Sequence, residues 1–142
     1  VLFLMVGNGE CWQELQDLSR KLGVADMMRF VGRIPDDLLL DYLSTTDVCL
    51  APDPPDRMNQ LSTMTKIMEY MACQRPIVSF DLLETRRSAG DAAIYIQEED
   101  AKEFARTVND LLNDPARRER RNRRMYRARR HLFRPRTLLA RR

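Results

Sequence analysis

Histidine and cysteine are scarce in this sequence, and a long apolar run is missing altogether. His131 is the single histidine and stands in an arginine-rich stretch, so neither a Ser-His-Asp triad nor a histidine-based metal site has the parts it needs. The three cysteines, Cys11, Cys49 and Cys73, are odd in number and widely spaced. Without the close pairing of a zinc or redox motif they read as ordinary buried or semi-buried thiols, and no metal ion or cofactor is expected. No segment approaches the ~20 consecutive apolar residues of a membrane helix. The opening run at residues 1–6 is too short, and too free of flanking basic residues, to be a signal peptide. A soluble, cytoplasmic protein is the expectation. No initiator methionine precedes Val1, which lies within what reads as a strand, so the chain is expected to be a piece of a longer protein.

What is present suits one compact α/β domain: 142 residues, 44% hydrophobic and 32% charged. The formal net charge of +3 conceals an uneven distribution. Residues 1–116 carry 11 Lys+Arg against 20 Asp+Glu, whereas residues 117–142 carry 13 arginines against Glu119 alone. The basic character belongs to the C-terminal stretch.

Residues 1–6 form a continuous apolar run ending in Gly7, Asn8 and Gly9, the pattern of a strand buried on both faces and followed by a tight turn. Trp12, Leu15, Leu18 and Leu22 then recur at helical spacing, with Gly23 as the stop. Residues 28–31 give a second strand. Asp36 or Asp37 opens a helix carrying Leu39, Tyr42 and Leu43 on one face. A third strand is expected at residues 47–51. After it Pro52, Pro54 and Pro55 preclude regular structure until about Ser62. Met64, Ile67, Met68 and Met71 fall at i, i+3, i+4 and i+7, the mark of an amphipathic helix on a sheet, and Pro76 ends it. Strands at 77–80 and 93–96 flank a segment containing Arg86, Arg87 and Gly90. Asp100 with Glu103 resembles a capping box, opening a helix striped by Phe104, Val108, Leu111 and Leu112. Alternation of this kind implies a Rossmann-like parallel sheet, of at least four strands over residues 1–114, wrapped by helices through right-handed crossovers. Ligands of such sheets sit beyond the carboxyl ends of the strands.

Gly7 and Gly9 permit close backbone approach to a ligand but lack the third glycine of a dinucleotide fingerprint, and such pairs are as often plain turns. The helix start at Ser62, Thr63 and Met64 would offer free N–H groups to a diphosphate. Glu69 lies off the apolar stripe, one turn beyond Lys66, where a carboxylate can accept from the two hydroxyls of a ribose. The bland alternative is a solvated Glu69 paired with Lys66.

Lys66, Ile67, Met68, Glu69, Tyr70, Met71 and Ala72, followed by Arg75, Pro76, Ile77 and Val78, resemble the K-x-x-E-Y-M-A and P-V-V signature of the glycosyltransferase group 1 family, also called family 4. Gly7 and Gly9, then Phe30, Val31 and Gly32, then Asp47, Val48 and Pro52, and finally residues 88–93 fall in that family's order over roughly residues 2–115. The resemblance implies the second, donor-binding domain of a GT-B fold, truncated at its N-terminus. It also implies a retaining transferase taking sugar from a nucleoside diphosphate donor, usually without a metal ion in the chemical step. The resemblance places Glu69 at the ribose, Ser62, Thr63 and Met64 at the phosphates, and Glu10 and Arg33 beside loops lining the same cleft.

The departures matter too. Leu61 occupies the position of the earlier glutamate of the E-x7-E pattern, so no catalytic residue is assigned. Asp53, Asp56 and Arg57 could supply polar contacts instead. Gln74 stands where the family usually has glycine. The N-terminal acceptor domain expected as a partner is missing, so this chain alone should be inactive. The domains expected are residues 1–114, a nucleotide-sugar-binding domain, and residues 115–142, an arginine-rich helical segment. Clustered arginines could meet nucleic acid or an anionic inner-membrane surface; the membrane is the favoured of the two, beside a simply solvated or packing role. Two alternatives stand against the enzyme: a nucleotide-binding module of the same fold that transfers nothing, and a basic adaptor acting through the tail.

Overall fold

The computed structural model describes residues 1–97 and 99–132; residues 133–142 of the arginine-rich segment, and the side chains of residues 129–132, His131 among them, lie outside the described residues. The chain divides into two compact units, Val1–Tyr42 and Leu43–Arg142.

In the first unit, β1 (Phe3–Val6) pairs in parallel with β2 (Met28–Gly32), Phe3 facing Met28 and Val6 facing Gly32. Helix α1 (Trp12–Lys21) makes the crossover, and Gly23 follows it with φ +68°. The Trp12 ring meets Phe30 edge-on, centroids 5.3 Å apart. The rest of the expected apolar stripe is not covered. Leu15, Leu18 and Leu22 remain 38%, 45% and 63% exposed. Two strands about 4.8 Å apart offer little surface to a helix about 10 Å wide. Cys11, just before α1, is exposed rather than buried or semi-buried as expected. Helix α2 (Asp36–Thr45) begins at the predicted aspartates and ends in the second unit, where Leu43 is buried.

In the second unit, β3 (Cys49–Ala51), β4 (Ile77–Phe80) and β5 (Ile94–Ile96) form a parallel sheet in that order. The five strands therefore pair as a sheet of two and a sheet of three, not as the one sheet of four or more expected. Apolar runs identify strands but do not specify their partners. Every residue of β4 is buried. Val78 and Phe80 pack with Ile96 against Phe104, Val108 and Leu111 of α6 (Ala101–Asn113), and the Phe80 and Phe104 rings lie 5.1 Å apart. Strand alternation turns Ile77 and Ser79 to the other face, where Ile77 is also fully buried, as are Ile67 and Met71 of α4 (Thr65–Ala72). The Asp100 side chain caps α6, accepting from the Lys102 N–H at 2.7 Å and the Glu103 N–H at 3.2 Å.

Two helices lie where no helix was expected. Residues 57–61 form α3 (Arg57–Leu61) directly after the prolines, because the Asp56 carboxylate caps it through the Asn59 N–H at 2.8 Å. Residues 83–89 form α5 (Leu83–Ala89), whose Thr85 and Ala89 are buried without any apolar periodicity to announce them. The chain ends its described part in α7 (Pro115–Leu132), with proline at its first position.

Gln74 is the one non-glycine residue among those described with positive φ, at +56°. It closes α4 as a Schellman motif, the Arg75 N–H donating to the Tyr70 carbonyl and the Gln74 N–H to the Met71 carbonyl, both at 3.0 Å. A side chain in that conformation costs about 1 kcal/mol relative to glycine. Gln74→Gly should therefore raise the melting temperature by about 3 °C in calorimetry; an unchanged or lower value would remove the strain argument. The thiols differ as well. Burial, reinforced by Cys73 and opposed by Arg75, pushes the Cys49 thiol up to about 12, so almost no thiolate exists near neutral pH. At about pH 8 iodoacetamide should alkylate Cys11 in the native protein, and mass spectrometry should find Cys49 modified only after denaturation.

Candidate functional site

The loop after β3 and the start of α4 bring several predicted residues of the second unit together. Asp53 lies in the proline loop, and the Lys66 ammonium donates to its Oδ1 at 2.7 Å while lying 2.6 Å from Oδ2. The side chains are 22% and 33% exposed respectively. Oδ2 is buried and has the ammonium as its ion-pair neighbour rather than as a hydrogen-bond donor. The i−3 pair of Lys66 with Glu69, the bland alternative, does not form. Glu69 is half-buried and has no ion-pair or hydrogen-bond partner among the described residues. Beside it Tyr70 donates its phenolic proton to the Leu50 carbonyl at 3.4 Å. Burial first, then Cys49, Asp53 and Glu69, push that phenol above its ordinary range, so it remains a donor at any physiological pH.

Helix α4 starts one residue later than the Ser62 to Met64 expectation. Met64 occupies the cap position and supplies no side-chain hydrogen bond. Ser62 is instead the C-cap of α3: its N–H reaches the Asn59 carbonyl at 3.3 Å and its hydroxyl the Met58 carbonyl at 2.7 Å. Its amide is thus engaged, where the sequence had suggested a free one. The Thr63 hydroxyl lies 3.3 Å from Glu84 Oε2. The Thr65 and Lys66 N–H groups have no acceptor among the described residues, so they are the unsatisfied donors at the positive end of the helix.

Gln60 escaped sequence reasoning. Its Oε1 accepts from the Leu83 N–H at 2.9 Å, and its Nε2 donates to the Asp81 carbonyl at 3.5 Å. Helix α5 has Leu82 at its cap and no side-chain cap of its own, so Gln60 caps it from α3 and fixes the loop between β3 and α4. A partner 23 residues away leaves no local signal. Beside this clip Arg86 forms a bidentate pair with Asp81, and its guanidinium lies 4.4 Å from the Tyr95 ring centroid.

In the first unit, Gly7 takes φ +114° and donates its N–H to the Gly32 carbonyl at 2.8 Å. The turn carrying Gly9 and exposed Glu10, and the exposed Arg33, thus leave the sheet at its same end. A Cβ built on either Gly7 or Gly9 would meet nothing within 4 Å; at Gly7 it is the backbone angle that calls for glycine. Among the described residues no group of three His, Cys, Asp or Glu side chains could hold a metal ion, and no helix is long and apolar enough to cross a membrane.

Similar proteins bear on what this arrangement is. The family model described as "Glycosyl transferases group 1" matches residues 1–114. A D-inositol 3-phosphate glycosyltransferase of Thermomonospora curvata is 30% identical over 117 residues, which is 80% of this chain and 26% of that protein. The chain spans about a quarter of the length of the curated relatives it matches. Among solved structures, sucrose-phosphate synthase from Thermosynechococcus elongatus superposes with a TM-score of 0.78 at 21% identity, over 92% of this chain and 34% of that one. HepE from Anabaena, in complex with UDP, gives 0.70 at 18% identity, over 92% and 36%. The parallel α/β architecture expected of part of a GT-B enzyme is the one these chains share. With the family model covering both sheets and every helix as far as the end of α6, the chain belongs to the group 1 glycosyltransferase family.

Proposed function

We propose that this chain is the donor-binding part of a retaining glycosyltransferase, which transfers sugar from a nucleoside diphosphate donor to an acceptor held largely by the remainder of its parent enzyme. In this reading residues 1–114 make the nucleotide-sugar-binding domain and residues 115–142 an arginine-rich helical segment appended to it. The observation that carries it is Glu69. Its carboxylate is half-buried on α4 and unpaired among the described residues, because the neighbouring Lys66 turns to Asp53. A carboxylate so left can accept both hydroxyls of a ribose diol.

The remaining groups fit around such a donor. The unsatisfied Thr65 and Lys66 N–H groups suit the diphosphate, with Ser62, Thr63 and Met64 shaping the entry to the helix. Asp53, held in an ion pair by Lys66, is the loop residue assigned to the donor in this reading. Within the first unit, Gly7, Gly9, Glu10 and Arg33 stand at the carboxyl end of its sheet, where ligands of parallel sheets sit. The uridine diphosphate in the HepE structure is the kind of ligand meant. A second reading, a nucleotide-binding module that transfers nothing, is favoured by Leu61, which stands in place of an acid and is 67% exposed on α3.

Glu69→Gln keeps the size and one acceptor oxygen and removes the charge. Charge-assisted hydrogen bonds are worth about 1.5–3 kcal/mol, so affinity for uridine diphosphate should fall roughly ten- to a hundredfold. Calorimetry with the ribose and 2′-deoxyribose forms, on the parent enzyme carrying this chain, should find that wild type prefers the ribose and that the variant has largely lost the preference. Equal discrimination by both proteins would show that Glu69 is not the ribose ligand.

A further inference from the structure

Helix α7 has two faces of different character. Toward the body it lays Arg118, Arg121, Asn122 and Met125, at i, i+3, i+4 and i+7. Met125 is fully buried. Arg118 donates to the Leu111 carbonyl at 2.8 Å and stands 3.6 Å from Asp47, capping the last turn of α6 with a cation. Arg121 donates to the Asp91 carbonyl at 3.0 Å. Those two arginines are therefore committed to packing.

The opposite face repeats the same spacing with Arg120, Arg123, Arg124 and Arg127, all exposed. Arg120 lies 3.8 Å from Asp114, and Arg123 3.0 Å from Glu119; exposed pairs of this kind are weak and exchange partners readily. Arg124 and Arg127 have no ion-pair partner among the described residues. Tyr126, 48% exposed, borders the stripe on the Glu119 side. Four arginines thus share one face of a helix whose other face is anchored on the body.

We propose that this stripe is a peripheral membrane-contact surface, resting against the anionic phospholipid headgroups of a bilayer. The inference does not depend on the donor-site reading. Shape favours a plane over a groove. A recognition helix enters a nucleic-acid groove with much of its circumference, whereas α7 has one face occupied by the body and offers only the other. Charge points the same way. Residues 43–116 carry 7 Lys+Arg against 13 Asp+Glu, an acidic body that any polyanion would repel. With α7 lying flat, its width of about 10 Å, comparable with a Debye length of about 8 Å, separates a planar surface from the part of the body behind the helix; beside it, Arg123 and Arg127 border Cys73, Gln74 and Arg75, a segment with no acidic residue. Duplex phosphates curving around the helix would come closer to it. Each arginine near an anionic leaflet strengthens adsorption by roughly fivefold, and Tyr126 suits the headgroup level.

Cosedimentation of the 142-residue chain with vesicles tests this directly. Binding is expected to phosphatidylcholine vesicles containing about a third phosphatidylglycerol, to disappear in high salt, and to be absent with phosphatidylcholine alone. The combined variant Arg120→Gln, Arg123→Gln, Arg124→Gln and Arg127→Gln retains every arginine beyond residue 128, so its loss of binding isolates the stripe. Partitioning should fall at least about a hundredfold with the circular dichroism unchanged. The same four positions changed to lysine should bind as wild type does. Undiminished binding by the glutamine variant, comparable binding to neutral vesicles, loss of binding in the lysine variant, or tighter binding of a nucleic-acid duplex at matched salt would each overturn the proposal.

Discussion

Strand β4 meets solvent on neither face, and the arrangement of the second unit follows from covering it. As the middle strand of three, with Ile77, Val78, Ser79 and Phe80 all buried, it needs apolar helices on both sides. Helix α6 covers Val78 and Phe80 through Phe104, Val108 and Leu111. Ile77 and Ser79 on the other face are buried too, and so are Ile67 and Met71 of α4, neither with any exposed surface. Once those two point inward, helical geometry fixes Lys66 and Glu69 on the flanks, near the end of the sheet where the proline loop emerges. The candidate site is thus a consequence of how the core is closed.

The helix ends are held by long-range side chains as much as by local caps. Helix α5 has no polar cap and takes one from Gln60. The final carbonyls of α6 receive a guanidinium from Arg118 in the next helix. Helix α4 closes on Gln74 in the conformation that glycine favours, and still completes both hydrogen bonds of its terminal motif. Pairing of these carbonyls, together with the full burial of Met125, holds an arginine-rich helix on the body.

The parts of the fold legible in the sequence are those whose apolar pattern is local. The run at residues 1–6, the Met64 to Met71 spacing and the Asp100 cap all identify their elements, because a period of two or 3.6 and a single side-chain acceptor are enough to do so. Helix α3 was hidden by Pro52, Pro54 and Pro55, which end a strand but do not forbid a helix once Asp56 caps it. Helix α5 was hidden because its buried residues are Thr85 and Ala89, small and partly polar. At the candidate site Glu69 was legible from its position on the helix, but the partner of Lys66 was not. The i−3 rule pointed to Glu69, whereas Asp53, 13 residues away, is the partner the loop delivers.

That exchange of partners sets the electrostatics of the site. A lysine bound to Glu69 would have neutralised the carboxylate and occupied its lone pairs. Bound to Asp53, it balances a charge in the loop and leaves Glu69 to accept hydrogen bonds from neutral groups. Tyr70, held protonated by burial and by three neighbouring acidic groups, adds no negative charge of its own. On the donor-site reading the chain would then hold a pyrophosphate with backbone N–H groups, and hydroxyls with carboxylates. The charge that Leu61 fails to provide near the sugar would come from Asp53, tempered by Lys66. Such a site is nearly neutral where the sugar would lie. On that reading, strong stabilisation of charge developing there would call for cationic or N–H groups beyond Asp53 and Lys66.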